Sequence, residues 1–273
     1  MKIVIVTEVP QISQRMTELV RALGHEPVAL LCTREGAERR GGAFETLVRD
    51  APEGIDVVIP ATRGAIAPLL RAYHPDVLVC NGFPWKIPPD ALAVPRLGAV
   101  NGHPSLLPRY RGPCPVGWAI RNGETEIGFT FHRMDAELDT GPILAQASIP
   151  LGDEHTWEEL ALKLAENVRE LLPQALARVE RGDLGDPQPE GSGEYLSFFE
   201  PEYVWIDWTR PADEIYCQVR AWRFAATKDE ERGALAELDG ETVRVLRVSL
   251  EPADGRGMEC GDGMLWIMET EAA

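Results

Sequence analysis

The sequence lacks any segment long enough to cross a membrane. Its longest apolar stretches, such as Ile3–Val6 and Val28–Cys32, are strand-sized, whereas a bilayer crossing needs about 20 residues. No basic-then-apolar leader precedes a small-residue cleavage site, because Met1 runs directly into a predicted strand. We therefore expect a cytoplasmic protein without a membrane partner.

The cysteines form neither a disulfide framework nor a zinc motif. Five of them are spread along 273 residues, and no two make a CxxC pair. An odd, scattered set is typical of reduced cytosolic thiols. His, Cys and Asp residues are not grouped at the spacing of metal ligands either, so the sequence predicts no metal.

Basic residues are scarce. The chain has 27 Lys and Arg against 44 Asp and Glu, which gives a formal net charge of −17. Binding of a nucleic acid rests largely on cationic side chains that release counterions. The acidic balance therefore favours a small substrate and disfavours a nucleic acid as partner. Assembly as a homodimer stays open.

The glycine fingerprint of dinucleotide-binding proteins is missing as well. The turn after the first predicted strand, Lys2–Thr7, runs Thr-Glu-Val-Pro-Gln and contains no GxGxxG. Without those glycines a backbone cannot approach a pyrophosphate at the helix N-terminus, so we expect no NAD.

What the sequence does contain is an alternation of strands and helices. Buried β-branched runs and amphipathic stretches succeed one another, which predicts an α/β fold with a Rossmann-like, mostly parallel sheet. The predicted strands are Lys2–Thr7, Pro27–Thr33, Asp56–Ile59, Asp76–Cys80, Ile127–Met134 and Ile143–Leu151, and the predicted helices are Ser13–Leu23, Gly64–Tyr73 and Trp157–Arg181.

The composition changes near residue 182, where Gly182–Gly193 is rich in Gly, Asp, Pro and Glu and has no periodicity. We predict a main domain at 1–184, a linker at 185–205 and a small C-terminal domain at 206–273. The last part contains one predicted helix and strands at Glu241–Leu250 and Met264–Met268, which suits a β-rich domain of barrel type.

The residues best suited to chemistry lie in two segments. In NGHPSLLPRYRG, Asn101 and His103 are two apart after a short apolar run, so in an extended chain both side chains face the same side. Asp139 precedes Thr-Gly-Pro in a turn, and its carboxylate can project into a cleft. The sequence thus predicts an amide, an imidazole and a carboxylate at one site.

Each of these residues also has a purely structural interpretation. His103 could be a packed loop histidine, and Asn101 and Asp139 could be ordinary turn residues. For His132 the structural interpretation is the stronger one, in which its ring orders the loop by hydrogen bonding. The sequence leaves open whether three further side chains contact substrate: Arg109, Arg111 and Cys114.

The same segments resemble the folate-dependent formyltransferases, the family of methionyl-tRNA, glycinamide ribonucleotide and sugar N-formyltransferases. The matching text is NGHPSLLPRYRG at 101–112, WAIRNGE at 118–124 and GFTFHRMDAELDTGPILAQ at 128–146. A weaker likeness runs through the first hundred residues and into WIDW at 205–208. The resemblance implies a Rossmann-like formyltransferase domain with an OB-like C-terminal domain, and transfer of a formyl group from 10-formyltetrahydrofolate to an amine.

The resemblance also implies roles for individual residues. Asn101 and His103 would donate hydrogen bonds to the oxyanion of the tetrahedral intermediate, and Asp139 would pair with His103 and hold a proton-relaying water. The implied folate-binding residues are Trp85, Lys86, Ile87, Leu92, Met134, Asp135 and Leu138. The supporting residues are Thr130, which matches a position near the catalytic water, Ser105 and His132.

Three functions within this resemblance compete. The acidic C-terminal part has 17 acids and 8 bases from Glu200 onward, a net charge of −9, which favours a small amine such as an amino sugar nucleotide, an amino acid derivative or a biosynthetic intermediate. Methionyl-tRNA is the alternative, supported by WIDW and by a faint likeness of the loop 34–40 to a basic acceptor-stem loop. A formyl-folate hydrolase or a non-catalytic folate-binding protein ranks third.

Overall fold

The computed structural model describes residues 1–34, 43–152, 157–224 and 233–273. The loop 34–40, apart from its first residue, lies outside this part of the chain. Two compact units are present, one formed by residues 1–111, 128–149 and 161–194 and the other by residues 112–127, 150–160 and 195–273. Among the described residues, no helix has the length and apolar character that a membrane crossing requires.

The first unit is built on a seven-stranded sheet with the order β3-β2-β1-β4-β5-β6-β7. Strands β1 to β5 pair in parallel, and β6 runs antiparallel to β5. The predicted α/β fold with a mostly parallel sheet is therefore confirmed. The strands are β1 (Lys2–Val6), β2 (Glu26–Leu31), β3 (Asp56–Val58), β4 (Val77–Asn81), β5 (Ala99–His103), β6 (Glu126–Arg133) and β7 (Ile143–Pro150).

Helices pack on the sheet through apolar side chains. In α1, the buried residues Ser13, Met16, Thr17 and Val20 follow helical spacing, and a proline occupies the first turn, where its missing N–H costs nothing. The first unit contains the helices α1 (Pro10–Ala22), α2 (Ala43–Arg49), α3 (Ile66–Arg71) and α4 (Pro89–Leu92). Most of the long helix α6 (Trp157–Glu180) also lies in this unit.

The core of the first unit has two layers, because successive strand residues point to opposite faces of the sheet. Ile3 and Ile5 belong to the layer that also holds Leu172 and Leu176 of α6. The other layer contains Val4 and Val6 of β1 and Leu78 and Cys80 of β4. Ile66 and Leu70 of α3 belong to this layer as well. This second face carries the candidate site described below.

The second unit combines two helices with a small antiparallel sheet of order β10-β11-β9-β8. This confirms the predicted β-rich part. Its elements are α5 (Pro115–Arg121), α7 (Ala212–Phe224), β8 (Ala234–Leu238), β9 (Glu241–Ser249), β10 (Arg256–Glu259) and β11 (Met264–Ala272). Four aromatic rings pack within it, and the Arg121 guanidinium lies 3.8 Å from the centre of the Tyr203 ring.

The non-periodic segment 182–193, which overlaps the predicted linker at 185–205, has fixed contacts within the first unit. Asp186 forms a β-bridge with Ile143, and the Arg178 Nε donates to Asp183 Oδ2 at 2.7 Å. The sequence shows no periodicity here because side chains, and not a regular backbone ladder, hold the segment. The compact units interleave along the chain, so the domain limits at 184 and 206 stay a prediction.

Candidate active site

Two paired strands place four polar side chains on one face of the sheet. In the antiparallel register of β5 and β6, Asn101 lies opposite His132, and His103 lies opposite Thr130. Directly opposite residues share a face, as do residues two apart in one strand. Gly102 lies between them on the other face, where an added Cβ would come within 2.8 Å of the Phe129 ring. The backbone alone therefore gathers an amide and two imidazoles.

Asp139 completes the cluster from the turn after β6. Its Oδ1 lies 3.4 Å from Asn101 Nδ2 and 3.4 Å from His132 Nε2, and its Oδ2 lies 3.7 Å from His103 Nδ1. The side chains of His103 and Asp139 are only 6% and 11% exposed, while the turn residues just before Asp139 are exposed. The predicted trio thus converges at the surface edge of the sheet.

The hydrogen-bond partners indicate the tautomer of His132. Its Nδ1 lies 2.8 Å from the Arg133 carbonyl oxygen, which can only accept, and its Nε2 lies 3.2 Å from the Asn101 amide nitrogen, which can only donate. A neutral ring that donates through Nδ1 and accepts through Nε2 satisfies both contacts. His132 therefore orients the Asn101 amide, a role beyond loop ordering that the alternation of Thr130 and His132 in β6 could have revealed.

His103 is arranged differently, because in the described contacts both of its nitrogens face acceptors and neither faces a donor. Nε2 lies 2.9 Å from the Tyr110 carbonyl oxygen, and Nδ1 faces the Asp139 carboxylate. Burial lowers the pKa of His103 below its ordinary value, and the nearby Asp139 charge opposes that effect only in part. The neutral ring donates through Nε2, which leaves the Nδ1 lone pair towards Asp139. That nitrogen is the position at which the site can take up a proton.

Hydrogen bonds within the turn and a close backbone approach hold the turn that carries Asp139. Asp139 has a left-handed φ of 59°, a conformation that aspartate tolerates better than most residues. Asp135 Oδ1 accepts from the Glu137 N–H at 3.0 Å and from the Thr140 hydroxyl at 2.7 Å. An added Cβ at Gly141 would lie 1.9 Å from the Arg133 carbonyl oxygen, so only glycine fits there.

Ser105 and Thr130 support the loop that follows β5. The Thr130 hydroxyl donates to the Ser105 carbonyl at 2.6 Å and accepts from Gln146 Nε2 at 2.7 Å, and the Ser105 hydroxyl donates to the Arg109 carbonyl at 2.8 Å. The resemblance placed Thr130 near a catalytic water. In the structure its fully buried hydroxyl holds protein groups.

The residues expected to bind folate are brought together in part. Ile87 is buried in the apolar layer on the same face as the cluster, and Trp85, Leu92 and Met134 pack against that layer. Lys86 Nζ lies 3.5 Å from Glu137 Oε2 in an exposed ion pair, which connects the loop after β4 with the turn before Asp139. Asp135 serves the turn through its own hydrogen bonds, and Leu138 is 39% exposed. The loop after β4 and the turn before Asp139, which carry most of these residues, therefore lie close together.

The three residues whose contact with substrate the sequence leaves open are held by contacts or burial within the protein. Arg111 contacts Gln188 and Gly193, the Arg109 guanidinium lies 5.3 Å from the centre of the Tyr110 ring, and Cys114 is buried. A surface cavity near the amino ends of β2 and β3 is lined by Arg21, His25, Asp56 and Tyr73, among others, and by none of the predicted site residues. Within the described ranges, no group of three His, Cys, Asp or Glu side chains could hold a metal ion.

Comparison with known protein families gives matches over most of the chain. Residues 4–176 match the family described as formyl transferase, and residues 199–271 match the formyl transferase C-terminal domain. The chain is 35% identical to a methionyl-tRNA formyltransferase of Synechococcus sp. (strain JA-3-3Ab) over 81% of this chain and 69% of that protein. It is 34% identical to the methionyl-tRNA formyltransferase of Pseudomonas putida (strain F1) over 93% of this chain and 87% of that protein.

Solved structures share the fold at lower identity. A sugar N-formyltransferase from Shewanella sp. FDAARGOS_354 superimposes with a TM-score of 0.69 at 18% identity, over 93% of this chain and 99% of that one. HypX from Aquifex aeolicus in complex with tetrahydrofolic acid gives a TM-score of 0.62 at 20% identity, over 98% of this chain and 43% of that one. With both sequence matches and the converging Asn, His and Asp side chains in place, the chain belongs to the folate-dependent formyltransferase family and is a formyl-transferring enzyme.

Proposed function

We propose that the enzyme transfers the formyl group of 10-formyltetrahydrofolate to the amine of methionyl-tRNA. The observation that carries this choice of acceptor is the match to the Pseudomonas putida methionyl-tRNA formyltransferase over 93% of this chain and 87% of that protein. The family match to the C-terminal domain over residues 199–271 supports it. These matches support a transfer-RNA acceptor over the small amine that the net charge favours.

In the proposed reaction His103 acts as the base, a different role from the oxyanion donor that the resemblance implies. Its neutral ring has a free lone pair on Nδ1, which can take the proton that the amine loses as it attacks the formyl carbon. The resulting imidazolium would donate through Nδ1 to Asp139 and through Nε2 to the Tyr110 carbonyl, acceptors that lie 3.7 Å and 2.9 Å away. The same proton can then pass to the folate nitrogen as the C–N bond breaks.

Asn101 stabilises the oxyanion. Its amide has two hydrogens, one directed at His132 Nε2 at 3.2 Å and one at Asp139 Oδ1 at 3.4 Å. The second contact is long for a hydrogen bond, so that hydrogen can turn to a developing oxyanion at little cost. One such donor is worth about 100-fold or more in rate.

The folate is proposed to lie between the loop after β4 and the turn that precedes Asp139. Ile87 and its neighbours Trp85, Leu92 and Met134 offer an apolar surface, and the turn offers backbone groups beside it. Such a surface suits a flat pterin ring with a few polar edges. 10-Formyltetrahydrofolate supplies the formyl carbon, and the residues of this chain orient it and move the protons.

A small amine remains the second candidate, because one observation favours it. The C-terminal part carries a net charge of −9 from Glu200 onward, and such a surface repels a polyanion. The same cluster of Asn101, His103 and Asp139 would serve either acceptor.

A direct assay separates the candidates. Purified enzyme is offered 10-formyltetrahydrofolate with methionyl-tRNA, with uncharged tRNA, with amino sugar nucleotides and with water alone, and release of tetrahydrofolate is followed. We expect fast release only with methionyl-tRNA. Release with an amino sugar nucleotide and not with methionyl-tRNA would overturn the acceptor, and equal release in all samples would indicate a hydrolase.

A further inference from the structure

Gln188 binds the backbone on both sides of the catalytic turn. Its Nε2 donates to the Asp139 carbonyl at 2.9 Å and to the Gly141 carbonyl at 2.8 Å. Both amide hydrogens are thereby used, one on each side of Thr140. A half-buried glutamine from a distant segment, 49 residues further along the chain, thus fixes the position of the left-handed residue that carries the carboxylate.

Arg111 holds the other end of the same amide. Its Nε and Nη2 donate to Gln188 Oε1 at 3.2 Å and 2.5 Å, and its Nη1 donates to the Gly193 carbonyl at 3.0 Å. With two carbonyls on one side and a guanidinium on the other, only one orientation of the amide satisfies every partner. A flipped Gln188 amide would turn its oxygen towards the two carbonyls and its NH2 group towards the guanidinium, so it would lose these hydrogen bonds.

The Arg111–Gln188 pair also connects the two halves of the catalytic pair. Arg111 directly follows Tyr110, whose carbonyl accepts from His103 Nε2. Gly193, bound by Arg111, packs so tightly that an added Cβ would lie 2.0 Å from the Pro108 carbonyl oxygen. One end of the pair thus lies beside the anchor of His103, and the other end holds the backbone of Asp139.

We infer that Gln188 and Arg111 are positioning residues that set the separation between His103 and Asp139. This inference rests on the proposed roles of those two residues in formyl transfer. Neither positioning residue touches the reacting atoms. They act through the backbone of the turn and of the loop after β5, and a displacement of about 1 Å at a reacting group can cost about 100-fold in rate.

The test replaces Gln188 with residues of similar size. Gln188→Leu removes all four hydrogen bonds, and Gln188→Glu keeps acceptors for Arg111 but turns oxygens towards the two carbonyls. We expect both variants to lower kcat by about 10- to 100-fold and to change the KM for 10-formyltetrahydrofolate less than twofold. Gln174→Leu, which removes a glutamine bonded only to the Glu170 carbonyl on the exposed face of α6 in the described contacts, is the matched control and should keep normal kcat.

A second readout does not need turnover. Asp139 and His132 are the titratable groups that face His103, and the Asp139 charge raises its pKa against the effect of burial. If the turn moves away, an NMR titration of labelled histidine should show the pKa of His103 falling further in Gln188→Leu, which adds no charge, and staying constant in Gln174→Leu.

The outcomes distinguish the two proposals. A wild-type enzyme without formyl transfer would overturn the proposed function, and the His103 titration would still decide the role of Gln188. An active wild type together with a folded Gln188→Leu or Gln188→Glu that keeps kcat within twofold, or that raises KM alone, would overturn the positioning role. If Gln188→Leu does not fold, Gln188→Glu decides, since its carboxylate still pairs with Arg111.

Discussion

At the scale of single residues, His103 and His132 show how partners decide what an imidazole can do. Both lie near the Asp139 carboxylate. His132 faces an acceptor through Nδ1, and its Nε2 lies 3.2 Å from the Asn101 amide nitrogen and 3.4 Å from Asp139 Oδ1, so in the neutral form Nε2 can accept from Asn101. His103 has acceptors on both, so only its protonated form satisfies both. The cluster therefore has one ring suited to orient an amide and one suited to cycle a proton.

The lowered pKa of His103 predicts how stability changes with pH. Because the pKa is lower in the folded protein than its ordinary value of 6.5, the unfolded chain binds more protons just below pH 6.5. The stabilisation is fully present above pH 6.5 and is lost as the pH falls from 6.5 towards the folded-state pKa. Urea unfolding at several pH values should show this loss in the wild type and a smaller loss in His103→Gln. Equal pH dependence of the two proteins would contradict the lowered pKa.

At the scale of elements, the turn between β6 and β7 depends on Gly141. Gly141→Ala would force a Cβ against the Arg133 carbonyl oxygen, which is also the acceptor for His132 Nδ1. We expect a loss of about 1–3 kcal/mol in the free energy of unfolding, as overpacking typically costs, together with reduced turnover.

The control for this prediction is Gly64→Ala. The nearest heavy atom to an added Cβ at Gly64 is the Thr62 hydroxyl at 4.0 Å, so there is room for a methyl group. Chemical denaturation of the two variants measures the difference. Equal stabilities would show that the turn relaxes without cost.

The same scale shows how much the sequence could predict. Strands β1 and β4 lie within one residue of their predictions, because buried parallel strands give continuous apolar runs. Strand β7 also matches its prediction within one residue. The apolar run 98–100 continues as a strand to His103, which is why Asn101 and His103 share a face as expected. The sequence does not predict helix α5 or strands β8 and β10, because α5 lies in a segment rich in proline and glycine, β8 is short and rich in alanine, and β10 is short and mostly exposed.

Likewise, only some of the residues of the candidate site could be predicted from the sequence. Asn101 and His103 could be predicted to share a face from strand periodicity, and Asp139 could be predicted from its place in the turn before Thr-Gly-Pro. Gln188 could not, because its role depends on contacts with Arg111 and the Asp139 backbone that are distant in sequence. Side chains that hold a backbone from afar leave no periodic signal.

At the scale of the whole molecule, the net charge of −17 conflicts with a polyanionic acceptor. If methionyl-tRNA is the acceptor, a limited set of Lys and Arg must contact its phosphates. We expect the KM for methionyl-tRNA to rise about tenfold between 50 and 200 mM KCl, as two or three phosphate contacts would give. The KM for 10-formyltetrahydrofolate should change far less. A flat KM for methionyl-tRNA would favour a small amine.

The account depends most on the carboxylate of Asp139, which contacts Asn101, His103 and His132 together. The most direct measurement is the single-turnover rate of formyl transfer in Asp139→Asn, with folate binding measured in parallel. We predict that the rate falls by at least about 100-fold, since the imidazolium of His103 loses its counter-charge, while folate affinity is retained. A rate within threefold of the wild type would contradict the account.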